Sequence, residues 1–289
     1  MENIGIQTSS MLVELNISSW TARKLDRRVS EEVDATKATR ARAGNYNKNL
    51  LAGTTLLDSI VKYAANARAW HNKNTLPWSD NGLRLLPMAN FLHYKGQLNT
   101  LEQNFNNLVE NFIQAYPNLV SAAAFNLGDL FDREEYPEAE AVRNKFAFNY
   151  WFTPVPTAGD FRVDVGDSAL NELRDHYEKQ FNDRVNKAMR EAWDRLHECL
   201  THVKDRLTDE VVNGEVKPKI FRDSLVENAM ELTELLRHLN VTNDQKLEDA
   251  RRQLNSALVG TNAKDLRDSR TTREDVRMQV EEILGKFDF

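Results

Sequence analysis

The sequence predicts a predominantly helical α+β fold, and three observations carry that prediction. Breakers are scarce, with 11 Gly and 7 Pro in 289 residues, too little turn chemistry for a many-stranded β protein. Apolar residues recur at helical spacing over two long stretches, 91–112 and 167–212. A period of two replaces it at 11–17 and again at 146–153. At 41% apolar and 28% charged, with 5 Trp and 13 Phe, the chain can bury a core, which excludes disordered, collagen-like and low-complexity classes. A lone Cys199 cannot form an internal disulfide, and no run reaches the ~18 apolar residues of a membrane span. The opening MENIGIQTSS lacks the basic stretch and apolar run of a signal peptide, so a cytoplasmic protein without membrane association is expected.

The elements follow in order. In MLVELNI, Met11, Val13, Leu15 and Ile17 share one face, which reads as a half-buried strand. Ser18 and Ser19 offer N-caps for a charged surface helix from about Trp20, with a thin stripe of Leu25, Val29 and Val33. Thr55 and Asp58 have capping-box spacing before a helix over about 55–70. WHNKNTLPWSDNGLRLLP is polar and reads as a long loop, although it carries Trp70 and Trp78. From Phe91 to Phe112 the apolar spacing alternates three and four, a seam that favours packing within an intramolecular bundle over a dimer. Shorter helical pieces follow near 119–131 and 138–145. Phe146, Phe148, Tyr150 and Phe152 then share one strand face, and 160–165 is its expected hairpin partner. With strand 11–17 they make a small antiparallel three-stranded sheet, so residues 1–165 form one α+β body.

Residues 166–289 are expected to be helical throughout. Between Asp167 and Val212 there is no Gly or Pro, and the apolar stripe averages about 3.7 residues, beyond the 3.5 of a left-handed coil. Such a helix is on the order of 70 Å long and needs a second long element to cover it. Residues 217–258 supply one, opening at Pro218 and recapped at Thr242 with Gln245, so 167–212 and 217–258 are predicted to form a long, projecting antiparallel helical hairpin with a broken return arm. A last amphipathic helix carries Val276, Val280, Ile283, Leu284 and Phe287.

Chemical signatures are lacking. In HECLTH the two histidines stand five apart, which rotates the second about 140° from the first on a helix, so this is not a zinc-protease motif. No phosphate-cradling glycine loop and no GxSxG elbow occur, and Cys199 has no sequence partner for nucleophilic catalysis. The acidic group Asp129, Asp132, Glu134, Glu135 and Glu138 reads as a solvated loop. The aromatic strand KFAFNY partly echoes an RNA-recognition strand, but core packing is the stronger reading. No catalytic residue, metal ligand or cofactor is therefore assigned. Three candidate surfaces remain. The long hairpin, residues 167–258, is the expected interaction arm of a protein that works through contacts with another. Trp70 and Trp78 could anchor a protein partner. Between Trp20 and Lys48 lie eight basic and four acidic residues on an otherwise acidic chain, so Arg23, Lys24, Arg27, Arg28, Arg40, Arg42 and Lys48 could meet nucleic-acid phosphates.

The segments MLVELNISSWTARKLDRRVS, ARAGNYNKNLL, LLPMANFLHYKGQLN and FNYWFTPVP resemble a family of phages and prophages catalogued as domain of unknown function 3150, over nearly the whole chain. Such family members travel near MoxR-type AAA+ ATPases and cobaltochelatase-like proteins, and no active-site residues come with the family. The resemblance implies a non-enzymatic bacteriophage protein of the host cytoplasm, acting through contacts with a phage AAA+ ATPase or a host protein. The alternative is a nucleic-acid-binding protein of phage DNA metabolism that uses the basic segment 23–48.

Overall fold

In the computed structural model, which describes residues 4–80, 82–156, 167–212 and 215–287, the chain begins with α1 (Ile4–Ser9) and β1 (Ser10–Ser18). Next come β2 (Arg23–Asp26), α2 (Arg27–Thr36), β3 (Tyr46–Asn49), α3 (Leu56–Lys73), β4 (Leu76–Pro77) and β5 (Arg84–Pro87). The middle of the chain holds α4 (Phe91–Leu127), α5 (Ala139–Arg143) and β6 (Ala147–Pro154). The remainder is α6 (Asp167–Leu207), β7 (Glu210–Val212), β8 (Glu215–Lys217), α7 (Ser224–Leu239), α8 (Gln245–Leu258), α9 (Ala263–Asp268) and α10 (Arg270–Lys286). The chain is α+β and mostly helical, as its breaker-poor composition predicts. It divides into two compact units, Met1–Glu14 with His71–Tyr94 and Trp151–Phe289, and Leu15–Trp70 with Lys95–Tyr150. The expected boundary at 165/166 borders residues 157–166, and the expected strand 160–165 falls among them, outside the described residues.

The larger sheet has the order β4-β5-β1-β6; β4 and β5 lie in the first unit, while β1 and β6 each run across the division of the chain, at Glu14/Leu15 and Tyr150/Trp151. Ser10 to Val13 pair antiparallel with Pro87 to Arg84, and Leu76 and Pro77 pair with Leu85 and Arg84. The polar stretch read as a loop is thus a β-hairpin, with Gly82 at φ +98 where an L side chain would be strained. Its strands bury Leu76, Leu85 and Leu86 completely. Strands of two and four residues are too short for alternation to announce them.

In the first unit α6 and α7 run antiparallel. Lys219 Nζ donates to the Asp205 carbonyl at 3.1 Å near one end, and Trp193 Nε1 donates to Asp244 Oδ2 at 3.0 Å near the other. The long helix stops at Leu207 rather than 212, because the β-branched residues of VVNGEVK enter the antiparallel pair β7–β8. The return arm opens at Ser224, not Pro218, and breaks at 240–244, where Asp244 rather than Thr242 caps α8 through the amides of Lys246 and Leu247. The hairpin does not project as expected, because the last helix covers it and shares its core. Arg273 meets Asp209 at 3.1 Å and the rings of Trp193 and Phe287 stand 5.9 Å apart, so α10 runs antiparallel along α6. It also packs on α8, which closes α6, α7, α8 and α10 into a four-helix bundle. Leu196, Leu200, Leu236, Leu254 and Val280 are fully buried at its centre.

The second unit is built on α4, whose seam buries Leu98, Phe105 and Phe112 and continues through Tyr116 and Val120. That apolar stripe carries the helix past Pro117, so the separate piece expected at 119–131 is largely its continuation. The charged helix expected from Trp20 is instead β2 followed by α2. Asp26, not Ser18 or Ser19, is the N-cap, accepting from the Val29 amide at 3.1 Å. β2 pairs antiparallel with β3, Arg23 opposite Asn49 and Lys24 opposite Lys48.

Candidate functional site

The basic segment is held by the second unit. Lys48 is buried, 2.5 Å from Glu135 and 3.4 Å from Asp26, and its ammonium donates to the Leu130 carbonyl at 2.8 Å. It cannot reach a phosphate, so its expected role in nucleic-acid binding is corrected to a structural one. Burial alone would favour the neutral amine, but the two carboxylates outweigh it and hold the Lys48 pKa above its ordinary value. Lys24 approaches Glu135 at 3.8 Å, Arg28 approaches Glu32 at 3.8 Å and Arg42 approaches Glu31 at 3.8 Å. Arg23, Arg27 and Arg40 are exposed and meet no carboxylate among the described residues. The acidic loop is largely spent on structure as well. Asp132 caps Glu134, Glu135 holds Lys48, and Glu138 lies 3.7 Å from Arg133.

The aromatic strand faces inward. Phe146 lies 5.6 Å from Phe112 and Phe148 5.7 Å from Phe105, centroid to centroid, while in the first unit Phe152 stands edge-on to Phe91 at 5.4 Å. Of the two tryptophans, Trp70 is half-buried at the end of its unit. Trp78 is 2% exposed, edge-on to Phe181 at 5.4 Å with the Arg184 guanidinium 6.0 Å from its ring centre. Trp78 therefore closes the core of the first unit and offers no anchoring face, which corrects its assignment as a partner-binding residue.

Within the hairpin 167–258, expected from sequence as the interaction arm, lies a groove of about 950 Å³ between α6 and α7, a feature that the sequence does not locate. Its α6 wall is Glu191, Arg195, Glu198, Cys199, His202, Val203 and Arg206, one face of the helix at spacings of three and four. Its α7 wall is Ser224, Leu225, Asn228, Ala229 and Leu232, with Ile220, Phe221 and Arg222 at one end and Asn72 and Lys73 also lining it. Val203, Leu225 and Ala229 are buried and form an apolar floor, while Ile220 is 91% exposed. HECLTH thus lies partly on a groove wall, not on a featureless helix surface. Among the described residues no group of three His, Cys, Asp or Glu could hold a metal. Burial pushes the Cys199 thiol up to about 11, so it is a protonated part of the wall.

Charges at the two ends of the groove differ. Lys73 pairs with Glu231 at 2.9 Å. Arg195 binds Glu191 at 3.1 Å and donates to the carbonyls of Asn72, Lys73 and Thr75. Arg84 donates to the Asn72 and Thr75 carbonyls too, so two guanidiniums satisfy the carbonyls left open where α3 ends. At the other end Arg206 and Arg222 are exposed and meet no carboxylate among the described residues, since the nearby Asp223 is held by Arg267. The signal that could have found this site is Ile220 ahead of Phe221, an apolar pair just after Pro218 where the helix was expected to begin. Among the described residues no helix is long and apolar enough to cross a membrane. Comparison with protein-family models, with curated proteins and with solved structures returns no match.

Proposed function

We propose that this chain is a non-enzymatic bacteriophage protein that acts in the host cytoplasm by binding another protein through the α6/α7 groove. The partner class follows from the sequence resemblance, a phage AAA+ ATPase or a host factor, with this chain as its adaptor or regulator. The observation that carries the reading is Ile220, 91% exposed at the mouth of a groove with an apolar floor. A preformed cleft with an apolar floor and an aliphatic side chain at its rim has the shape and lining that accept a segment of another protein. The test is affinity purification of the tagged full chain from phage-infected cells, with nuclease treatment, beside an Ile220→Asp variant. A stoichiometric, nuclease-resistant partner that the variant loses supports the proposal. Recovery of nucleic acid alone, or a partner indifferent to Ile220→Asp, overturns it.

Arg23, Arg27 and Arg40 favour a second reading, since these exposed guanidiniums lack carboxylate partners among the described residues. A nucleic-acid-binding protein using them shows DNA or RNA affinity that falls steeply with salt. Reversal of all three to Glu abolishes that affinity if the reading holds.

A further inference from the structure

We infer that the occupant of the α6/α7 groove is a short acidic amphipathic helix of the partner protein, its acidic turn set against Arg206 and Arg222. This rests on the protein-binding reading above and adds the chemistry of the bound segment. The shape argument comes from the walls. Two antiparallel helices present parallel stripes at three- and four-residue spacing, and the concavity between such stripes is the surface into which a third helix packs its own ridge. The α6 wall from Arg195 to Arg206 rises about 17 Å, which matches roughly three turns of an incoming helix. Over that length the floor is aliphatic, so the buried face of the occupant carries aliphatic residues at i, i+4 and i+7.

Charge sets the rest. The cations toward the Asn72 and Lys73 end are already committed to Glu191, Glu231 and backbone carbonyls. The two guanidiniums at the Ile220 end are exposed, with no carboxylate partner among the described residues, against Glu198 as the wall's uncommitted carboxylate. An occupant with carboxylates at that end gains two charge-assisted contacts, and a basic one meets repulsion there.

The experiment uses the full chain as bait for a display library of helical 16-residue peptides, followed by fluorescence-anisotropy titration of the enriched sequences. Enriched peptides are expected to carry net negative charge and an aliphatic i, i+4, i+7 stripe. They should bind at least tenfold more weakly to Arg206→Glu/Arg222→Glu and be unaffected by Arg27→Glu. Both groove arginines are exposed, and unchanged thermal melting of the variants shows that the fold is intact; Arg206→Ala/Arg222→Ala gives a smaller loss in the same direction. No enrichment, enrichment of neutral or basic peptides, or affinity indifferent to charge reversal overturns the inference. If any of these occurs while the Ile220-dependent partner is still captured from infected cells, the protein-binding reading stands and only the acidic helix falls.

Discussion

Lys48→Ala should be among the most damaging single changes in the second unit, and the structure sets the size of the effect. The Lys48 side chain is 4% exposed, and its partners Asp26 and Glu135 are 11% and 13% exposed. Removing the ammonium strands two nearly buried carboxylates near one another and orphans the Leu130 carbonyl. Breaking a buried ion pair costs about 3–5 kcal/mol, and the partial solvation of the two acids places this case near 3 kcal/mol. The melting temperature should fall by about 10 °C at neutral pH. Arg40→Ala, on an exposed arginine of the same basic segment, should stay within about 0.5 kcal/mol of the parent. The effect should also depend on pH. The Val29 amide, with help from Lys48, holds the Asp26 carboxyl below its ordinary value of 3.8 despite burial. A depressed carboxylate contributes stability above its unfolded value and loses it as pH falls through the folded one. The gap between parent and Lys48→Ala should therefore be full above pH 5 and narrow below pH 4. Thermal melts of both proteins between pH 7 and pH 3 measure it. A neutral-pH shift under 2 °C would show that Lys48 is not a structural cation and would return it to the pool of residues free to meet a phosphate.

Three further outcomes follow from the first unit. Hydrogen bonds from Arg251, then Arg252, hold the Glu248 carboxyl down at about 2, so its contribution is present above 4.5 and lost as pH falls from 4.5 toward 2; Glu248→Gln should cost on the order of 2 kcal/mol at pH 7 by urea denaturation and flatten that acid limb. Burial drives the His71 imidazole down to about 4, with Arg84 adding to the effect, so a two-dimensional NMR titration should find it neutral at pH 5.5; its contribution is full above 6.5 and lost as pH falls from 6.5 to 4, a limb that His71→Phe removes. Arg195→Ala should cost about 2 kcal/mol, and its double-mutant cycle with Arg84→Ala should be non-additive, because both guanidiniums donate to the Asn72 and Thr75 carbonyls.

What the sequence made legible is what local periodicity encodes. Strand 11–17, the helix near 55–70, the seam from Phe91, strand 146–153 and the long helix from Asp167 all appear close to their expected bounds. Each spans enough residues for its period to stand out, although burial is not confined to the marked face, since Leu12 on the other side of strand 11–17 is buried and Leu173 of the long-helix stripe is exposed. The elements that were missed are short or depend on distant partners. Arg84–Pro87 is a strand because residues 10–13 lie beside it, and nothing within four residues announces that pairing. The start of α2 was misplaced because Ser18, Ser19 and Asp26 are all acceptable caps, and only the β2–β3 pairing decides among them. Charge was the least legible property. Lys48 reads like Arg40 in sequence, yet one is buried between Asp26 and Glu135 and the other is solvated, because burial is fixed by a carboxylate far along the chain. Trp78 failed for the same reason, since a polar local context says nothing about Phe181 arriving from α6.

The groove differs from the basic segment in how firmly it is built. Val203, Leu225 and Ala229 form its floor and belong at the same time to the core shared by α6, α7, α8 and α10. The spacing of its walls is therefore set by bundle packing, and a close-packed interior does not deform to suit a ligand. A site of this kind is paid for during folding, so an incoming helix loses mainly its own freedom. The free arginines of the basic segment sit on a four-residue strand, the first turn of a ten-residue helix and the bend that follows it. Their guanidiniums are exposed and held by no carboxylate among the described residues, and several of their neighbours are opposed by glutamates. Preorganisation therefore favours the groove as the binding surface. It also makes the choice separable by mutation, since Leu200→Ala, buried beneath the α6 wall, should weaken groove binding through the core while leaving any nucleic-acid affinity of the second unit unchanged.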